Sequence, residues 1–307
     1  MPPSAKTAVL LLAHGSPESA EDVPCFLYAV TAGRPLPQTV IDEVQRRYAL
    51  IGRSPLRDLT LQQAEALQRE LGLPVYVGMR NWTPYIREAA PRMASDGITH
   101  AIVVCLTPQN SRTSVGLYRQ ALEEAQPVFT FDFVESWHDQ PLLIQALAGK
   151  LEAGWKQACA EAGARIPVIF TAHSVPASTI MEGDPYEEQA RQTAELTARR
   201  VAGLSAREWR FAFQSQGMSG GTWLGPTVEE TIRELASTGG GGHAGIFLQP
   251  VGFLCDNVEI LYDIDILFKK FAAECGLRLW RAESLNASPL LTAALAAVVR
   301  SRQALSP

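Results

Sequence analysis

Short runs of consecutive apolar residues alternate along this chain with longer stretches in which apolar positions return every three or four residues. Runs of the first kind are TAVLLLA (7–13), VYVGM (75–79), THAIVVCL (99–106), PVFTFDFV (127–134), IPVIFTA (166–172), WRFAFQ (209–214), GIFLQPV (245–251) and LRLWR (277–281), and they predict strands. Residues 61–71, 82–95, 185–201 and 227–236 have helical spacing. Such alternation predicts βαβ units, hence parallel sheets covered by helices. Eight strands divide into two sets of four, with a break after Glu135, beside SWHDQP. The expected fold class is α/β, with two doubly wound four-stranded parallel-sheet domains, 1–136 and 137–285. A last helix, within 286–307, is expected to pack back on the first half. An eight-stranded barrel is the competing arithmetic, but the long segment between Ser16 and Pro74 fits a barrel repeat badly.

In open parallel sheets ligands sit outside the carboxyl ends of the strands, so strand ends become site candidates. By that rule His14, Arg80, Pro108, Gln109, His173 and residues 214–216 are candidates, together with the acidic segment after the seventh strand. That segment is GFLCDNVEILYDID (252–265). If it is helical, Asp256, Glu259 and Asp263 line one face, because they stand three and then four residues apart. A solvated outer face is the ordinary reading of such a row. Here, however, the apolar run IFLQPVGFL leads directly into the acids, which places them where a buried strand ends.

FTAHSVP (170–176) delivers His173 directly off another buried run, at the same expected end of the sheet as Glu259. Imidazole with carboxylate is a ligand set for a divalent first-row metal, and imidazole is also a base that titrates near neutrality. Cys255 could share that face and is read as a packed neighbour. The glycines of GGGHAG (240–245) precede a strand, whereas a dinucleotide fingerprint follows one, so the segment, with His243, reads as a loop. P-loop, G-x-S-x-G and H-E-x-x-H signals do not occur.

Composition narrows the classes. The 307 residues are 47% hydrophobic and 19% charged, which is a globular composition, and the net charge of −5 argues against nucleic-acid partners. No apolar run reaches the length of a transmembrane segment, and no signal peptide is read, so a cytoplasmic protein is expected. The 5 cysteines lie far apart without a C-x-x-C, which speaks for reduced, mostly buried thiols and against an iron–sulfur cluster.

The acidic segment, FTAHSVP, GDPY (183–186), QSQG (214–217), WLGP (223–226), LLLAHGSP (10–17) and RRYALIGRSPL (46–56) together resemble the ferrochelatases, which insert ferrous iron into a porphyrin in heme biosynthesis. The resemblance implies two doubly wound halves facing each other across a cleft, and catalytic and metal-handling roles for His173 and Glu259, with Asp263 one step along an acidic relay on an irregular helix. Where relatives often place a further acid, this chain has Leu267. Where relatives often place tyrosine or methionine, it has His14, either an axial ligand to product metal or a strand-end hydrogen-bonding residue. Arg47, Ser54 and Tyr118 match positions that contact propionates in the coproporphyrin-using branch; a helix-face arginine, a turn serine and a core tyrosine are the bland readings. His100 and His138 are read as structural. Ferrous iron is then a substrate, no cofactor is permanently bound, and a monomer working on coproporphyrin III is expected. Protoporphyrin IX, or a related tetrapyrrole chelatase or carrier using another divalent metal, is the alternative.

Overall fold

The computed structural model of the chain describes residues 6–217, 221–238 and 244–304. Contacts divide it into two compact units, Met1–Trp137 with Cys255–Val258 and Asn286–Pro307, and His138–Leu254 with Glu259–Leu285. Gly240, Gly241, Gly242 and His243 of that glycine-rich segment lie outside the described residues.

In the first unit, strands β1 (Thr7–Ala13), β2 (Val75–Met79), β3 (His100–Cys105) and β4 (Thr130–Val134) form a parallel sheet in the order β2-β1-β3-β4. Helices α1 (Val23–Val30), α2 (Gln38–Ile51) and α3 (Leu56–Leu71) lie between β1 and β2, α4 (Ile86–Ser95) precedes β3, and α5 (Val115–Glu124) precedes β4. Alternate residues of a strand face opposite ways. Leu10, Leu12, Ala101 and Val103 pack against Met93 of α4 and Leu122 of α5. Val9, Leu11, Ile102 and Val104 are equally buried on the other face, where α3 covers β2 and the last helix, α11 (Pro289–Gln303), covers β3. Burial on both faces explains why these strands read as unbroken apolar runs. Arg300 of α11 also reaches the Glu70 carboxylate on α3 at 2.9 Å.

The second unit repeats the plan. Strands β5 (Val168–His173), β6 (Trp209–Gln214), β7 (Gly245–Pro250) and β8 (Arg278–Arg281) are parallel, in the order β6-β5-β7-β8. Before β5 comes α6 (Pro141–Ala162); α7 (Ala177–Met181) and α8 (Tyr186–Arg200) precede β6, and α9 (Val228–Thr238) precedes β7. Between β7 and β8 run a π-helix, Glu259–Phe268, and α10 (Lys269–Glu274). Ile169, Ala212, Ile246 and Leu248 meet Ile232 of α9, Ile260, Ile264 and Phe268 of the π-helix, and Ala272 of α10. Phe247, on the opposite face, lies so close to α6 that a Cβ on Gly154 would stand 2.8 Å from its ring, which leaves glycine as the residue that fits.

Two expectations from the sequence need correction. Helical spacing begins at residue 82, yet α4 starts at Ile86, because Pro84 disfavours helix in the residue before it and Tyr85 caps the first turn together with Glu88. The acidic segment is not one α-helix either: Asp256 precedes the helical residues, belongs to the first unit and hydrogen-bonds Asn286, its N–H donating to Oδ1 at 2.9 Å and its carboxylate accepting from Nδ2 at 3.0 Å.

Among the described residues no helix is long and apolar enough to cross a membrane. Leu10 has no exposed surface in the centre of the first sheet, whereas Val128 is 84% exposed. Leu10→Ala is therefore expected to cost about 2–5 kcal/mol in urea unfolding, while Val128→Ala changes the midpoint little.

Candidate active site

Strand β5 ends at His173 because the next residues are drawn into other bonds. Ser174 donates its N–H to the Gln214 carbonyl at 2.7 Å and its hydroxyl to the Leu224 carbonyl at 3.0 Å, and Pro176 then starts α7. The Tyr186 hydroxyl donates to the His173 carbonyl at 2.9 Å, and the Tyr186 N–H is held by Asp184 at 3.0 Å. The GDPY motif is thus a support for the strand end that carries the histidine. On the ring, Nδ1 stands 2.5 Å from the Ser174 carbonyl. A carbonyl only accepts, so Nδ1 carries the hydrogen and the neutral ring keeps its lone pair on Nε2. Burial lowers the His173 pKa below its ordinary value, against the opposing pull of the Ser174 carbonyl and the negative charge of Asp263. Phe253 covers the ring at 6.3 Å between centroids.

The π-helix brings in the carboxylates. Its i→i+5 bonding gives a wider turn than an α-helix, so residues four apart stay in register along it. Ile260, Ile264 and Phe268 form the buried row, and Glu259, Asp263 and Leu267 form the neighbouring one. Glu259 is half-buried, Asp263 is only 6% exposed, and Leu267 is 40% exposed. Asp263 accepts from the Ser215 hydroxyl, and Gln214 donates its amide to the Glu259 carbonyl at 2.9 Å. Ser215 has φ 58, a left-handed conformation that few non-glycine residues adopt. The fourth acid, Asp265, takes a different course. Arg281 grips it with Nε at 3.0 Å and Nη2 at 2.8 Å, Lys269 adds a contact at 2.9 Å, and these cations hold its pKa below the usual carboxylate value despite burial.

The structure therefore brings His173, Glu259 and Asp263 together on one unit, at the carboxyl end of one sheet. Among the described residues no three His, Cys, Asp or Glu side chains converge into a ready ligand cage for a metal ion. Gln214 and residues 215 and 216 were strand-end candidates from sequence, but the bonds made by Gln214, Ser215 and Tyr186 had no sequence signal beyond their place in short motifs. Cys255 belongs to the other unit. It is buried in the first unit, where Gln63 donates to its sulfur at 2.8 Å, and burial pushes its thiol up to about 12.

The other expected residues lie on the first unit. His14 follows β1, is exposed, packs edge-on against Phe26 at 5.9 Å and meets the amide of buried Asn81 at 3.2 Å. Ser54 is 2% exposed and receives a hydrogen bond from Ser16 at 2.9 Å, in a hydroxyl chain that includes Tyr48. Tyr118 is 3% exposed within the α4–α5 core. Arg47 stays half-exposed, 3.0 Å from Glu43, whose carboxyl is drawn down to about 2 by Arg46 and Arg47. Of these four side chains, His14 and Arg47 are open to solvent. His100 and His138 bond to Thr130 and Gln192, respectively.

Comparison with known proteins adds an independent line. The family model described as Ferrochelatase matches residues 6–303. Ferrochelatase from Acidobacterium capsulatum is 53% identical over 311 residues, covering 96% of this chain and 94% of that protein. Coproporphyrin III ferrochelatase from a Geobacillus strain is 33% identical, covering 97% of this chain and 98% of that protein. The solved structure of SirB from Bacillus subtilis with Fe3+ shares the architecture, with a TM-score of 0.60 at 14% identity over 97% of this chain and 95% of that one.

A histidine whose folded pKa is lowered binds fewer protons folded than unfolded, so its contribution to stability is present above the unfolded value of about 6.5 and is lost as pH falls through the folded one. NMR titration of the His173 ring is expected to give a midpoint below 6.5. A midpoint above it would show that the charge of Asp263 outweighs burial.

Proposed function

Because the chain belongs to the ferrochelatase family, metal chelatases that insert iron into porphyrin for heme synthesis, we propose that His173 and Glu259 perform the insertion and that the porphyrin is coproporphyrin III. The observation that carries this reading is the pairing of a neutral, lone-pair-bearing imidazole at the end of β5 with the Glu259–Asp263 row of the π-helix beside it. Metal insertion removes two N–H protons from the macrocycle as the cation enters. Neutral Nε2 of His173 is suited to accept such a proton, and the carboxylates favour both the approaching cation and the departing protons. Glu259 is the hand-over group, half-buried at the start of the row. Asp263, fixed by Ser215, holds negative charge behind it. Carboxylate oxygens and one imidazole bind a ferrous ion firmly enough to strip some of its waters and loosely enough to release it.

The choice of coproporphyrin III is supported by the Geobacillus relative of that name and by Arg47, whose half-exposed guanidinium suits a propionate. His14, Ser54 and Tyr118 are the further substrate-binding residues of this reading, Ser54 and Tyr118 being nearly buried. In this reading the enzyme is a cytoplasmic monomer with iron as substrate and no iron–sulfur cluster of its own.

Anaerobic insertion assays with Fe²⁺ or Zn²⁺ test this directly. Coproporphyrin III is expected to be the better substrate by kcat/KM, and His173→Ala or Glu259→Gln is expected to lower kcat by about 10²-fold or more. An inert wild type, or variants as active as wild type, would overturn the mechanism; a preference for protoporphyrin IX would overturn the porphyrin assignment alone.

A further inference from the structure

Gln214 closes β6 and is 2% exposed, yet every polar atom of its side chain is engaged by the elements that hold His173 and Glu259. Its Oε1 accepts from the Thr171 hydroxyl on β5 at 3.1 Å, and its Nε2 donates to the Glu259 carbonyl at 2.9 Å and to the Ser215 hydroxyl at 3.3 Å. Its main-chain carbonyl takes the Ser174 N–H at 2.7 Å, and its Cα is the register partner of His173. The amide's orientation is determined, since the Glu259 carbonyl can only accept and so must face Nε2. One residue thus holds β5 on both sides of the histidine and the first residue of the π-helix at once. Its neighbour continues the chain of donors, because the Ser215 hydroxyl, placed by a left-handed backbone, ends on Asp263.

We infer that Gln214 is a positioning residue for metal insertion, setting where the Glu259 carboxylate stands relative to the His173 imidazole, with Ser215 doing the same for Asp263. This rests on the roles proposed above for His173 and Glu259. A side chain that merely satisfies buried polar groups would affect stability and leave the kinetics of the folded enzyme alone. A positioning residue acts on the metal step, because displacements of about 1 Å at reacting groups are felt as large losses of rate.

Gln214→Glu separates the two. It is nearly isosteric and keeps the acceptor for Thr171, but it turns an oxygen toward the Glu259 carbonyl where a donor stood. With Zn²⁺ and porphyrin varied in turn, kcat/KM for the metal is expected to fall about 10- to 100-fold while the porphyrin KM stays within about twofold of wild type. In a Glu259→Gln background the same change is expected to add less than it does alone, because both substitutions act through one carboxylate. A variant that melts as a folded protein and keeps its metal kcat/KM within about twofold of wild type, or whose loss falls on porphyrin KM alone, overturns the inference. If Gln214→Glu does not fold, Ser215→Ala removes only the hydroxyl on Asp263 and is read against the same two outcomes. An inert wild type would overturn the proposed roles of His173 and Glu259 and this positioning with them, a result distinct from an active wild type with unaffected variants.

Discussion

A parallel sheet buried on both faces dictates where this protein can be polar. In the second unit Ile169, Ala212, Ile246 and Leu248 are covered on one side, and Phe170 and Phe247 are fully buried as well, so polar side chains along the strands would lack water and partners. Polarity is displaced to the strand ends, and parallel strands all end on the same side. Thr171, His173, Gln214 and Gln249 stand at or near those ends, and the π-helix enters directly after β7. The chemistry is concentrated there because the remainder of the sheet is closed to it.

Within that polar end, the acids are treated in two ways. Asp265 is neutralised by Arg281 and Lys269, and it ties the helix to β8 as a structural ion pair. Asp263, two residues away and nearly buried, accepts a hydrogen bond from the Ser215 hydroxyl, a neutral donor. The negative charge of Asp263 favours the imidazolium form of His173. The opposition between burial and Asp263 at His173 follows from the same arrangement, with burial prevailing and the ring kept available as a base.

Much of this was legible in the sequence. Strands such as 75–79 and 209–214 coincide with the observed β2 and β6, because doubly buried strands leave uninterrupted apolar runs. His173 could be found from its place after such a run, and Glu259 from the acids after another. The π-helix could not be found, since its buried row of Ile260, Ile264 and Phe268 has a spacing of four that an α-helix shares, and only its i→i+5 bonding distinguishes it. Asp256 was grouped with Glu259 for the same reason, as three residues suffice for one α-turn but not when the chain is still extended toward Asn286. The bonds of Gln214, Ser215 and Tyr186 join residues far apart in the chain, and no local pattern announces such pairings.

The thiol that precedes the acids in the chain is kept protonated by burial. In the sequence Cys255 stands four residues before Glu259, close enough to share a helical face and offer a thiolate to the same ion. The chain instead gives residues 255–258 to the first unit, where Gln63 holds the sulfur and burial keeps it protonated. A thiolate beside an imidazole and two carboxylates would make the tight, closed coordination of a structural metal site. With the thiol kept protonated, the donors of the proposed mechanism are one imidazole and oxygens whose grip is moderate. That donor set fits an ion in transit, which must be held just long enough to be exchanged for the nitrogens of a ring.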